Sequence, residues 1–259
     1  MKISGNTVLI TGGTSGIGFE LARQLSERRN RVIITGRDEA RLENARITLP
    51  GVSVIRSDVS DPDSIQQLHA QVLERFPDLN MLVNNAGIQR KIDLVGFAGG
   101  LADISTEIDT NLRGSIRMVM QFLPHLLAQP NAAIVNVTSA LAFVPFAISP
   151  IYGATKAGLH SFTQALRAQT RQSPLKVFEL APPAVDTPLQ NIFNEDDLKG
   201  NPMMDVTKLV RKALEGIEAD RLEITPGASG VLRMMSRLAP GFILKQLSKP
   251  VAGLEAARG

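Results

Sequence analysis

The chain has no cysteine and no tryptophan, one tyrosine and three histidines in 259 residues. Without cysteine there are no disulfides, thiolate metal ligands or cysteine nucleophile, in keeping with a reducing compartment. His69, His125 and His160 are scattered without ligand spacing, so no metal site is expected. No apolar run reaches the ~20 residues that span a bilayer, and the chain enters Thr7-Val8-Leu9-Ile10-Thr11 without a signal-peptide pattern. A cytoplasmic location is expected. The net charge of +3 leaves no broad basic face, so nucleic acid is not an expected partner. The basic excess is confined to residues 226–259, where Arg233, Arg237, Lys245, Lys249 and Arg258 face Glu255 alone.

What the chain does contain is material for a core, with 44% apolar residues. Short β-branched runs near 7–11, 31–35, 52–57, 80–84, 132–138, 175–181 and 221–225 alternate with segments of helical period. Those segments begin near 16, 38, 61, 102, 150 and 205. This alternation predicts an α/β fold: one doubly wound Rossmann-type domain over residues 1–259, with a mostly parallel seven-stranded sheet and helices on both faces. Runs such as Ile134-Val135-Asn136-Val137 are nearly continuous in apolar residues, as in strands buried on both sides. Residues 183–204, with Pro183, Pro188 and Pro202, are too long for an ordinary connection and read as a substrate lid.

Thr11-Gly12-Gly13-Thr14-Ser15-Gly16-Ile17-Gly18 follows the first strand and opens an amphipathic helix. Glycines at 12, 16 and 18 permit a tight turn and close approach to a pyrophosphate, and the helix N-terminus offers free N–H groups to it. The second strand ends in Gly36-Arg37-Asp38, where an Arg rather than a carboxylate favours NADP over NAD. Asp38 either reaches the ribose or caps the next helix. Asp58, before Val59 at the end of the third strand, either bonds the adenine amine or caps a helix.

Tyr152, the lone tyrosine, stands four residues before Lys156 in Tyr152-Gly153-Ala154-Thr155-Lys156. On a helix the two share a face, and the cation is expected to lower the phenol pKa and fit it for acid–base work.

With the glycine turn, Tyr-Gly-Ala-Thr-Lys and Asn84-Asn85-Ala86-Gly87 in that order, residues 7 to about 190 resemble the classical branch of the short-chain dehydrogenase/reductase family. The resemblance adds Asn111 and Ser139 to Tyr152 and Lys156 as a catalytic tetrad. It makes Tyr152 the proton donor, Ser139 the alkoxide ligand, Lys156 both activator and ribose ligand, and Asn111 the holder of a helix distortion and a water. It also places cofactor contacts on Gly12, Thr14, Ser15, Gly16, Ile17, Gly18, Arg37, Asp58 and Val59. Further contacts fall on Asn85, Ala86, Gly87, Tyr152, Lys156, Pro182, Val185 and Thr187, with Asn85 and Gly87 read as bracing or as direct contacts. Pro183 stands where the family has glycine, fixing φ and removing an N–H. That Pro-Pro pair, with Asn-Asn-Ala-Gly-Ile-Gln-Arg at 84–90, is similar to DltE-type oxidoreductases.

The resemblance implies an oxidoreductase acting as a homodimer or homotetramer, Arg37 makes NADP its expected cofactor, and the apolar residues below make a hydrophobic carbonyl or secondary alcohol its expected substrate. Residues 140–150, 88–101 and the lid are expected to wall the pocket. Leu141, Phe143, Val144, Phe146, Leu189, Ile192 and Phe193 make an apolar lining, or else ordinary core. Arg90 and Lys91 either meet an anionic group or are solvated. A 3-oxoacyl thioester reductase and a non-catalytic nucleotide sensor are the alternatives. In the tail, 228–259, Val231, Met234, Met235 and Leu238 form one helical face before Pro240-Gly241. That face is expected to pack on its own domain or a sister subunit, with peripheral membrane contact as the lesser reading.

Overall fold

Alternation of side chains across a strand explains how this chain builds two cores on one sheet. In β1 (Thr7–Thr11), Val8 and Ile10 point to one face and Leu9 to the other, and all five residues are buried. The computed structural model describes residues 1–198 and 202–256. After β1 come α1 (Gly16–Glu27), β2 (Arg31–Gly36), α2 (Glu39–Thr48), β3 (Ser53–Arg56), α3 (Pro62–Arg75) and β4 (Leu79–Asn84). The second half adds α4 (Leu101–Glu107), α5 (Ser115–Leu127), β5 (Ala132–Val137), α6 (Pro150–Gln169), β6 (Leu175–Leu180), α7 (Val206–Glu218) and β7 (Glu223–Ile224).

The strands form one parallel sheet in the order β3-β2-β1-β4-β5-β6-β7. Helices α1, α2 and α7 cover one face through Leu21, Leu25, Leu42, Val210 and Leu214. Helices α3, α5 and α6 cover the other through Leu68, Val72, Met118, Phe122 and Leu166. Strand order reverses at β1, so the crevice outside the carboxyl ends of β1 and β4 is where such a sheet receives a ligand. The expected strands match within about two residues at either end, β7 being the shortest at Glu223–Ile224.

Two expectations needed refinement. The helix expected from 102 is not uniform: α4 passes into a π-helical turn at Ile108–Gly114 before α5 resumes the ordinary pitch. Residues 183–204 are not a featureless loop, although residues 199–201 lie outside the described residues. Val185 bridges to Met204, with Asp186 N donating to Met204 O at 3.0 Å and Met204 N to Ala184 O at 2.8 Å. The base of the excursion is thereby pinned, and Pro188–Ile192 forms a 3₁₀ turn within it.

The tail folds as α8 (Ala228–Leu238), α9 (Pro240–Leu247) and α10 (Val251–Ala256); Arg258 lies outside the described residues. Pro240 begins α9 at a position where its missing N–H costs nothing. Leu232, Ile243, Leu247, Val251 and Leu254 pack on Val144, Phe146 and Ile148. Of the stripe expected to pack on its own domain or on a sister subunit, Val231, Met234 and Leu238 are exposed on this chain and Met235 is half-buried. The cause is rotation: α8 turns Leu232 and the fully buried Ser229 toward the domain instead. Among the described residues no helix is long and apolar enough to cross a membrane.

Candidate active site

The turn after β1 is held open by contacts that only glycine allows. Gly12 has φ +64°, and a Cβ there would lie 2.8 Å from Ala86 Cα. A Cβ on Gly18 would collide with the Gly12 carbonyl oxygen and Asn85 Nδ2, so Gly18 serves close packing of α1 on the sheet. Asn85 Nδ2 donates to Thr11 O and Gly12 O, both at 3.0 Å, and Thr11 Oγ1 accepts from Asn85 N and Ala86 N at 3.0 Å. Asn85 is therefore a brace of the turn while also facing the crevice. Thr11 shares that work, and the only sequence signal for it was a hydroxyl at the strand's last position.

Helix α1 begins without a side-chain cap, as α5, α6, α8 and α9 also do, but its start alone opens on the turn after β1. Asp38, Asp61 and Asp205 cap α2, α3 and α7 with their side chains, whereas Ser15 makes no side-chain cap bond and the first turn of α1 holds no acid. Its leading N–H groups and positive dipole end are left for a ligand anion. At the end of β2, Asp38 accepts from Arg41 N at 3.0 Å, so it is the helix cap. Asp58 accepts from Ser60 N at 2.9 Å and Ser60 Oγ at 2.7 Å, closing a turn, while Asp61 caps α3. Arg37 Nη1 lies 3.9 Å from Asp58, and Arg41, which sequence reasoning passed over, joins it on the cavity wall.

Helix α6 carries Tyr152 and Lys156 on one face, with Nζ 5.5 Å from the phenol ring centroid. Both are buried. Lys156 Nζ donates to Val137 O at 2.9 Å, at the end of the strand that leads into Ser139. Ser139 Oγ accepts from Leu141 N at 3.1 Å and shares the cavity wall with Tyr152. Asn111 lies in the π-helical turn: its Oδ1 accepts from Ile88 N at 2.8 Å, and its Nδ2 donates to Ile88 O at 2.8 Å and Thr155 Oγ1 at 3.2 Å. Ser115 Oγ takes up the Asn111 carbonyl at 2.9 Å. Gly87 sits between Asn111 and Lys156, where an added Cβ would come within 3.3 Å of Asn111 Oδ1 and 3.5 Å of Lys156 Nζ.

Electrostatics here run against one expectation. Burial pushes the Tyr152 phenol up to about 12, with the neighbouring Ser139 hydroxyl pulling the other way and the Glu107 charge adding to the rise. The neighbouring lysine does not produce the lowered value expected, because loss of water from around a fully enclosed phenolate outweighs it. Burial also brings Lys156 down to about 8. Glu107, wholly buried, has its pKa raised by burial, partly offset by Arg90, whose N lies 3.1 Å from Oε1 and Nε 3.4 Å from Oε2. Arg90 also pairs with Asp103 at 2.9 Å, and Lys91 with Asp197 at 2.7 Å. Neither cation is left for an anionic ligand or for solvent alone, as the sequence had suggested.

One cavity of about 830 Å³ joins these parts. Gly12, Thr14, Ser15, Gly16, Ile17, Arg37, Asp58, Val59, Asn85, Ala86 and Gly87 line it, together with Ser139, Tyr152, Lys156, Pro182, Pro183, Val185 and Thr187. Gly18 and Asn111 stand behind the wall as packing and support. Beyond Tyr152 the lining is Leu141, Phe146, Leu189, Phe193, Leu232 and Leu247, and among the described residues no charged side chain lines that end. Three apolar residues expected there do other work: Ile192 is exposed, Val144 joins the core under the tail, and Phe143 makes an edge contact with His160. Of residues 88–101, only Ile88 and Gln89 reach the cavity among the described residues.

This donor set fits a dinucleotide: a glycine cradle a side chain would fill, an uncapped helix start, two arginines at one end and a buried Lys–Tyr pair at the other. Residues 6–198 match the family profile described as short chain dehydrogenase. The chain is 45% identical over 250 residues to the uncharacterized oxidoreductase DltE of Bacillus subtilis strain 168, covering 96% of this chain and 98% of that one. A short chain dehydrogenase of Burkholderia cenocepacia J2315 in complex with NADP superposes with TM-score 0.83 at 23% identity, over 96% of this chain and all of that one. A 3-ketoacyl-(acyl-carrier-protein) reductase of Brucella melitensis complexed with NADH gives 0.80 at 26% identity, over 88% of this chain and all of that one.

Proposed function

Because the chain belongs to the short-chain dehydrogenase family of oxidoreductases, we propose that it is an NADP-dependent enzyme that interconverts an apolar ketone or aldehyde and its alcohol. The observation that carries this reading is the single cavity linking Arg37, Arg41 and the glycine turn to Ser139, Tyr152 and Lys156, with uncharged walls beyond. Arg37, Arg41 and Gly36 would hold the 2′-phosphate of NADP, since Asp38 is occupied as a cap. Gly12, Thr14, Ser15, Gly16 and Ile17 would take the pyrophosphate, with Val59, Ala86, Pro182, Val185 and Thr187 along its length. When bound, the nicotinamide supplies or accepts the hydride.

Tyr152 protonates the carbonyl oxygen in reduction and recovers the proton in oxidation. Ser139 donates a hydrogen bond to the developing alkoxide, a contact worth about 3–4 kcal/mol in comparable sites. Lys156 offsets the cost of a buried phenolate and would hold the nicotinamide ribose. Asn111 holds the π-helical turn against Ile88 and would keep there a water that reaches Lys156. Residues 183–204 act as a lid over the substrate end: Leu189, Phe193 and Leu198 line it, and the Lys91–Asp197 pair ties the lid to the loop after β4. A cytoplasmic homodimer or homotetramer belongs to the same reading, and exposed Leu101 on α4 and Met120 on α5 offer apolar surface for it. Likeness to the Brucella reductase supports a 3-oxoacyl thioester as a second substrate class.

The test is NADPH oxidation followed by absorbance over a panel of apolar ketones, aldehydes and 3-oxoacyl thioesters. Turnover lost in Tyr152→Phe with NADPH affinity intact supports the assignment. Turnover that survives Tyr152→Phe overturns it, and NADPH binding without turnover across the panel favours the sensor reading.

A further inference from the structure

The outward side of the tail is built unlike the rest of the surface. Leu238 is 73% exposed, Phe242 57%, Val231 56% and Met234 53%, and they follow one another along α8 and α9. Leu244 extends the series. Apart from Val231, which also lines the cavity, the folded domain does not use this stripe, because Leu232, Ile243 and Leu247 already seal the tail onto Phe146 and Ile148. Clustered exposed apolar side chains of this size mark a contact surface.

Charge defines the partner. Between Glu223 and Glu255 the sequence has no carboxylate, while it has Arg233, Arg237, Lys245 and Lys249. Among the described residues Arg233 pairs with Glu223, whereas Arg237, Lys245 and Lys249 are exposed with no carboxylate at salt-bridge distance. A two-fold contact between copies would set this patch against itself and bring cation against cation, with no acid to pair them. An extended anionic surface meets both needs at once: it neutralises the three cations and accepts the apolar side chains below its headgroups.

We propose that the outward face of α8 and α9 docks the protein on an anionic lipid bilayer. Val231 lies on that face and also lines the cavity, so docking brings the apolar end of the pocket to the membrane surface. The proposal concerns peripheral contact, and it stands whether or not the assigned reaction is correct.

The full chain is sedimented with phosphatidylcholine vesicles alone and with vesicles about one-third phosphatidylglycerol. Binding is expected only to the anionic vesicles and falls with added salt. Each surface cation contributes roughly fivefold to partitioning, so replacing Arg237, Lys245 and Lys249 by Glu lowers it at least about 100-fold. Leu238→Ser with Phe242→Ser weakens binding without altering net charge. NADPH affinity and melting temperature serve as folding controls and are expected to stay at wild-type values. Absence of binding to anionic vesicles, equal binding to both vesicle types, or unchanged binding by the charge-reversed variant overturns the proposal. So does a lipid-free dimer that becomes a monomer in Leu238→Ser/Phe242→Ser, which assigns the face to a second copy.

Discussion

Lys156 donates from a buried Nζ to the Val137 carbonyl at 2.9 Å, two residues before Ser139 on the same chain segment. One hydrogen bond thus ties the cation of α6 to the strand end that presents the candidate alkoxide ligand. The arrangement is costly, because burial brings the lysine from 10.5 to about 8.

That cost gives a stability prediction with a defined sign. Below pH 8 the folded chain carries a buried charge that the unfolded chain solvates freely. Lys156→Met should therefore be more stable than wild type at pH 7, by up to about 3 kcal/mol less the lost bond to Val137. Between about pH 8 and 10.5 the unfolded chain holds a proton the folded one has released, so wild-type stability rises and the gap closes. Urea melts of both proteins across that window check this, and turnover is expected to vanish in the variant.

Tyr152 is the only tyrosine and there is no tryptophan, so phenol absorbance reports one group. In the folded protein without cofactor the titration is expected near 12, and in denaturant near the ordinary value of 10. The stability contributed by the neutral phenol is whole below pH 10 and is lost as pH rises through 12. A folded-state midpoint at or below 10 would show that Lys156 outweighs burial.

On the proposed reading, the choice of NADP over NAD would rest on Arg37 and Arg41. Each of Arg37→Ala and Arg41→Ala should weaken NADPH binding about tenfold, with little change for NADH, since a charge-assisted bond to phosphate contributes about 1.5–3 kcal/mol. Fluorescence titration measures both. Equal wild-type affinities for the two cofactors would refute the NADP assignment.

Asn111 satisfies both backbone groups of Ile88 and bonds Thr155. Asn111→Leu leaves those half-buried groups without their partner and should cost about 1–3 kcal/mol in chemical denaturation. Turnover should fall further than stability alone explains if the turn also positions Lys156.

The proposed lid role can be tested through Asp197, which is buried, accepts from Lys91 Nζ and from Asn194 N, and receives no other cation among the described residues. Asp197→Asn should loosen the excursion, seen as faster proteolysis within 183–204 and a raised KM with a smaller change in kcat. Unchanged cleavage kinetics would count against a hinged lid.

Much of the fold was legible in the sequence because its signals are local. Apolar runs such as Val8-Leu9-Ile10 and Ile33-Ile34 can be satisfied only between two helical layers, and the glycines at 12 and 18 announce a close crossing whatever the fold around them. Tyr152 and Lys156 share a face by helical pitch alone. What lay beyond the sequence depended on partners distant in the chain. The loss of Arg90 and Lys91 to Glu107 and Asp197, and the bracing of Asn85 by Thr11, are contacts across many residues. The tail illustrates the limit most directly: the apolar stripe on α8 was visible as a pattern, but which side faces the domain was decided by how Leu232 and Leu247 fit against Phe146 and Ile148. The phenol's pKa was decided in the same way, because the lysine's spacing is a property of the sequence whereas the exclusion of water is a property of the packed interior.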